Sequence, residues 1–211
     1  EASFRERERA IDRYIQVNKA IYLGMAELVT PDLTNWSQVW ARAAFAILSA
    51  NAPFEAAVRA LSYATRHKGQ ADPWALSRFG MVPAKSDYLN LLPRASATLS
   101  LTRREGESYH EHRLRLAKSI KGLALVKASF LCALLEPLTA DVACIDTHIQ
   151  KVYLGHLRFK DLSLMAYLKV EAKIRQVAKR HGISTFLAQW QIWDYARGGS
   201  PTSHAIFPGK F

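Results

Sequence analysis

Apolar positions recur along this chain with helical spacing almost from end to end. From residue 4 to residue 28, Ile11, Tyr14, Ile15, Val17, Ile21, Tyr22 and Leu28 form a rough stripe, with Arg, Glu and Lys between them. That period predicts a long amphipathic helix. "TPDLTN" (30–35) supplies Pro31 and two candidate caps. "WSQVWARAAFAILSA" (36–50) is apolar on most sides, which predicts a central, buried helix. "NAPFEAAVRALSYATRHKG" (51–69) reads as a third helix, with Asn51 as its cap, Pro53 in its first turn and Gly69 as its stop.

Residues 70–110 break the rhythm with Pro73, Gly80, Pro83, Pro93 and a Ser/Thr-rich patch. They predict short helices joined by loops, with "LTRREGESYH" (101–110) as a basic surface turn. Regular helices resume over about 108–119, 125–135, 147–156, 161–181 and 184–197. The tail, "GGSPTSHAIFPGKF" (198–211), reads as a loop that packs back through Ile206 and Phe207. Strand alternation, internal repeats and low-complexity linkers are absent from the sequence. The predicted fold class is all-α, and 211 residues suffice for one domain or two small helical lobes sharing a cleft.

Composition narrows the function. With 49% hydrophobic residues, 10 Gly and 8 Pro, the chain forms a core. No apolar run approaches the ~20 residues of a membrane span. The opening "EASFRERERA" lacks the apolar core of a signal peptide, and a chain that starts on Glu1 is expected to be trimmed or processed. A cytoplasmic protein, or one held with DNA in the nucleoid or nucleus, is expected. Cys132 and Cys144 sit in apolar contexts and read as buried free thiols of a reducing compartment. The four closely spaced cysteines of an iron–sulfur cluster are missing. Lys and Arg total 29 against 18 acids, a net charge of +11, which favours a polyanionic partner over charge that merely aids solubility.

Two stretches carry candidate chemistry. "EHRLRLAKSIKGLALVKASFLCALL" (111–135) reads as two helices around a tight turn at residues 120–124, where Gly122 lets the backbone approach a partner. The second helix points unpaired N–H groups outward, and Lys118, Lys121 and Lys127 surround the turn. Such a module grips phosphate without reading sequence; a plain helical hairpin is the bland alternative. Next, "ADVACIDTHIQKVYLG" (140–155) puts Asp146 at a helix start. It either caps that helix or, approached through apolar "VACI", is held partly buried beside a cleft.

In this order, "IKGLALVKAS" (120–129) and "ACIDTHI" (143–149) resemble the helix-hairpin-helix DNA glycosylases. That superfamily includes endonuclease III, the adenine-mismatch glycosylases and the 8-oxoguanine glycosylases. Its hairpin pattern is L-P-G-h-G-x-K-x-A, followed downstream by h-x-V-D-x-H. "AFAILSANAPFEAAVRAL" (44–61) is similar to the family's early buried helix, and "FLAQWQIWDYARG" (186–198) to a C-terminal helix of the 8-oxoguanine branch. The resemblance covers roughly 35–65 and 108–198.

It implies a two-lobed helical fold with a cleft. One lobe would comprise about 35–135, including the hairpin at 108–135; the other, the N-terminal helix and about 147–211. The substrate implied is double-stranded DNA containing a damaged or modified base, with an oxidised purine such as 8-oxoguanine favoured. Asp146 would stabilise the sugar cation or activate water during hydrolysis of the N-glycosidic bond. Asn51 would fill the gap left by the flipped base. Lys121, Gly122, Ala124 and His148 would hold flanking phosphates, and Gln189 and Trp193, one helical turn apart, would hold the base. The resemblance further implies a monomer with no cofactor, and is compatible with a monovalent cation at the hairpin.

The sequence departs from the family in three places. Lys121 stands where proline is usual, and Ala124 replaces the second glycine. The lysine of bifunctional members, counted from Gly122, falls on Val126, with Lys127 one residue late. One residue is ~100° of helix rotation, which favours a monofunctional enzyme unless a local shift restores Lys127 as nucleophile. Rival readings are a phage-type enzyme of the same fold that modifies hydroxymethylated pyrimidines in DNA, a non-catalytic DNA-binding module, and an all-α protein-interaction domain.

Overall fold

The computed structural model describes residues 4–67, 70–96, 101–155, 162–199 and 201. Helices alone make up the regular structure of the described residues: α1 (Phe4–Val29), α2 (Trp36–Leu48), α3 (Phe54–Arg66), α4 (Pro73–Ser77), α5 (Pro83–Ser96), α6 (Tyr109–Ser119), α7 (Leu125–Leu135), α8 (Thr147–Leu154), α9 (Leu164–His181) and α10 (Thr185–Ala196). They fall into two compact units. The first unit holds α1 and α8–α10; the second, Pro31–Leu135, holds α2–α7.

In the second unit α2 is the central helix, and every residue from Val39 to Leu48 is buried. It begins at Asn35, whose side chain accepts the Gln38 N–H, and it packs on α3, α5 and α7. The third helix departs from the sequence expectation. Pro53 occupies its N-cap position without a side-chain bond, so Asn51 is not the cap. Asn51 instead lies outside the helix with φ 49°, a left-handed conformation that Asn tolerates better than most residues.

The aperiodic region also folds differently from the prediction of short helices only, because α5 runs for 14 residues. Its inward face carries Leu89 and Leu92 but also Lys85 and Ser86, all buried. Those two polar residues interrupt the apolar period that would have announced the helix. Ser86 donates to the Ala71 carbonyl, and Asn90 both accepts the Ala71 N–H (2.9 Å) and donates to its carbonyl (3.1 Å).

The basic turn before α6 is tied to that helix through its own acid, Glu107. Arg115 grips Glu107 at 2.7 Å, and that hydrogen bond brings the Glu107 carboxyl down to about 2. Ser108 and Glu111 close a capping box at the start of α6.

In the first unit, α1 buries Ile11, Ile15, Tyr22 and Ala26. Val17, Ile21 and Leu28, expected on that stripe, are 74%, 51% and 84% exposed; the sequence pattern had merged two faces of the helix. Tyr22 donates to buried Asp194 of α10 (2.6 Å) and its hydroxyl meets that of Tyr14 (2.9 Å). Burial, reinforced by the Asp194 carboxylate, pushes the Tyr22 phenol far above its ordinary range. Trp190 is buried core, stacked on Phe186 and edge-on to Tyr22. Cys132 and Cys144 are buried free thiols. The predicted stop at Gly69 and the packing of Ile206 and Phe207 lie outside the described residues.

Candidate functional site

Asp146 follows a buried, non-helical segment, Val142–Ile145, whose backbone is tied to α9. The Ala143 N–H donates to the Glu171 carboxylate at 2.9 Å. The Tyr167 hydroxyl donates to the Ala143 carbonyl and lies 3.4 Å from the Ile145 N–H. These bonds satisfy a stretch that no helix or strand serves, as buried backbone requires. Tyr167 and Glu171 were missed in the sequence; their one visible signal is a Tyr and a Glu one turn apart on the buried face of α9.

The carboxylate itself is half-buried and used at both ends. Oδ1 accepts the Ile149 N–H at 3.0 Å and so caps α8. Oδ2 accepts the indole N–H of Trp193 at 2.7 Å. The bland and the functional readings of this residue are therefore compatible, since the same bonds that cap the helix fix the carboxylate's orientation.

Around it, exposed His148 meets the Trp193 ring edge-on at 5.8 Å, and the Arg197 guanidinium lies 4.3 Å from that ring's centroid. One face of Trp193 is thus covered by a cation, and a base stacking on that face would have to displace Arg197. Gln189 is 6% exposed, and its Oε1 is buried without a hydrogen-bond partner. An acceptor left so costs about 1–3 kcal/mol, which a ligand N–H would recover.

The second unit contains the remaining candidates. In the α6–α7 turn Gly122 has φ +95°, and a Cβ there would lie 2.5 Å from the Tyr88 ring. Glycine is required twice over, by conformation and by the ring. Lys121 is exposed, with its amine 6.0 Å from the Tyr88 centroid, and Ala124 is exposed. Lys127 does not join Lys121 at the turn surface. Its amine donates to Ser49 Oγ at 3.0 Å and lies 5.1 Å from the Phe130 ring centroid.

A residue that sequence reasoning did not single out also reaches the end of α2. Lys85 is 6% exposed, and its amine donates to the carbonyls of Leu48 (2.7 Å) and Ala50 (2.6 Å), with Met81 Sδ at 3.4 Å. Burial, and then the charge of Lys127, bring the Lys85 amine down to about 8. Nothing in the local sequence pointed to it. Asn51 follows at once, exposed. Among the described residues no group of three or more His, Cys, Asp or Glu side chains could hold a metal ion.

No family model matches this chain, and no curated protein matches it in sequence. Solved structures do match it. The 8-oxoguanine DNA glycosylase of Thermotoga maritima superposes with a TM-score of 0.76 at 19% identity, over 94% of this chain and 99% of that one. The fold is that of the 8-oxoguanine DNA glycosylases. A second glycosylase of this fold, the 8-oxoguanine glycosylase/lyase of Methanocaldococcus jannaschii in complex with a 15mer DNA containing 8-oxoguanine, gives 0.73 at 18% identity, over 91% of this chain and 99% of that one. Another structure of the M. jannaschii glycosylase gives 0.74 at 20% identity, over 92% and 94%. No described helix is long and apolar enough to cross a membrane.

Proposed function

We propose that the chain is a DNA N-glycosylase that removes an oxidised purine, 8-oxoguanine being the favoured base, from double-stranded DNA. The observation that carries this reading is Asp146: a half-buried carboxylate at a helix N-terminus, oriented by Trp193 through one oxygen and by the Ile149 N–H through the other. Cleavage of an N-glycosidic bond builds positive charge on the deoxyribose, and a fixed carboxylate stabilises that charge or activates the attacking water. The shared fold and the substrates of its solved neighbours support the choice of base.

The other candidates take roles that suit their chemistry. The unpaired Gln189 carbonyl would accept an N–H of the extracted base. Asn51, exposed and left-handed, would occupy the stack. Lys121, the Gly122 turn, Ala124 and His148 would hold phosphates, with a monovalent cation compatible at the hairpin. Lys127 stays one residue past the family's lysine position at Val126, but it is the amine that α7 carries there, hydrogen-bonded to Ser49, and we propose it for the covalent step over the monofunctional reading. It would attack C1′, form a Schiff base as the base or water leaves, and permit strand cleavage by β-elimination. The protein would work as a monomer and without a cofactor.

The test is nucleoside analysis after incubation with matched duplexes containing 8-oxoguanine or hydroxymethyluracil. Loss of 8-oxoguanine from the DNA with formation of an abasic site is the expected result. A hydroxymethyl base converted in place, with no abasic site, would instead support the base-modifying alternative.

A further inference from the structure

The end of α2 is gripped by two amines. Lys85 Nζ takes the carbonyls of Leu48 and Ala50, while Lys127 Nζ takes the hydroxyl of Ser49 between them. Ser49 Oγ in turn donates to the Ala46 carbonyl at 3.0 Å, leaving a lone pair for Lys127. The next residue, Asn51, is held at φ 49°. Helix C-terminal carbonyls are left unpaired by the helix itself, and glycine or a solvated side chain is the usual remedy. Here the fold instead buries an ammonium, with no carboxylate to balance it among the described residues, and a buried charge without a counter-ion is costly. Met81 Sδ, at 3.4 Å, is the third hydrogen-bond acceptor of that amine.

We propose that Lys85 is a positioning residue: by clamping Leu48 and Ala50 it fixes the 48–51 turn, and so sets where the Lys127 amine rests and holds Asn51 in its left-handed conformation. The proposal rests on the roles given above to Lys127 and Asn51. It adds a buried residue that touches no DNA but controls two residues that do. The route is short and physical, running through two backbone carbonyls, one hydroxyl and one amine. Displacing a reacting group by about 1 Å can cost on the order of 100-fold in rate, so loss of the clamp should register in the covalent step and not in the grip on phosphate.

The experiment is borohydride trapping on an abasic-site duplex under single-turnover conditions, with enzyme saturating. The proteins are wild type, Lys127→Ala, Lys85→Met, Ser49→Ala and the Lys85→Met/Ser49→Ala double variant. Trapping should vanish in Lys127→Ala and slow by about tenfold or more in Lys85→Met, while affinity for an undamaged duplex stays within about twofold because phosphate contacts dominate it. The double variant should be no slower than the worse single, since both changes act on one turn.

A Lys85→Met protein that traps at the wild-type rate overturns the inference. So does a double variant whose losses multiply. If wild type releases base but is never trapped, the role of Lys127 fails separately, and amide exchange at Asn51 then decides. Exchange about tenfold faster in Lys85→Met, as for a turn freed to open, supports the clamp; unchanged exchange overturns it.

Discussion

Two short non-helical segments carry the candidate chemistry, and they are held in opposite ways. Residues 142–146 present an anion, Asp146, which accepts from the Trp193 indole and a helix N-terminal N–H, while the Tyr167 hydroxyl and the buried Glu171 carboxylate hold the backbone before it. Residues 48–51 present carbonyls and a hydroxyl, and their partners are two cations. The anion is oriented by donors of modest desolvation cost. The cations are held at the expense of burying charge. The second arrangement should therefore respond to pH, through the lowered Lys85 amine.

The largest expected effect breaks the first arrangement at its centre. Asp146→Asn keeps the size and can still accept from Trp193, so the protein folds, but base release should fall by about 1000-fold. Quantifying free base in a single turnover checks it. Glu171→Ala removes the acceptor of a buried N–H and should destabilise the protein by about 1–3 kcal/mol, read as a shift in the urea midpoint. Gly122→Ala, in the hairpin, should cost a similar amount, about 1–3 kcal/mol, because the φ of +95° and the Tyr88 ring both resist a Cβ. The same variant should weaken duplex binding.

The second arrangement is sharpened by pH. Lys85 has its amine lowered from 10.5 to about 8 in the folded protein. Between those values the unfolded chain binds a proton that the folded one has released, so folding stability should rise as pH increases from about 8 to 10.5. Below pH 8 both forms are charged and the burial cost is paid in full. Lys85→Met should lack that part of the rise, as seen in melting temperatures at pH 7.5 and pH 10. Smallest of all, Leu28→Ser on the exposed face of α1 should change stability by less than about 0.5 kcal/mol.

The helices that follow one apolar period were legible. α7 falls at its predicted 125–135, and α6 and α10 lie within a residue or so of expectation. The failures share a cause. On α1 the apolar residues occupy two faces, and sequence period alone does not say which is covered. On α5 two inward polar side chains hid the period altogether.

Within the candidate site, Asp146 was legible as an aspartate at a helix start after an apolar approach, the Gly122 turn through its glycine, and Gln189 and Trp193 only through the family resemblance. The bond between Asp146 and Trp193 was not visible, because a contact spanning 47 positions leaves no local mark. The same holds for Lys85 and Ser49. The contact of the Lys127 amine with Ser49, just past the end of α2, spans 78 positions and left no local mark either.

Excision is read out by mass spectrometry of the small-molecule fraction after wild-type protein acts on an 8-oxoguanine duplex. Free 8-oxoguanine should appear in step with abasic sites in the DNA, and neither should form with Asp146→Asn. An 8-oxoguanine content unchanged in the DNA, with the duplex bound but no base in solution, would contradict the account.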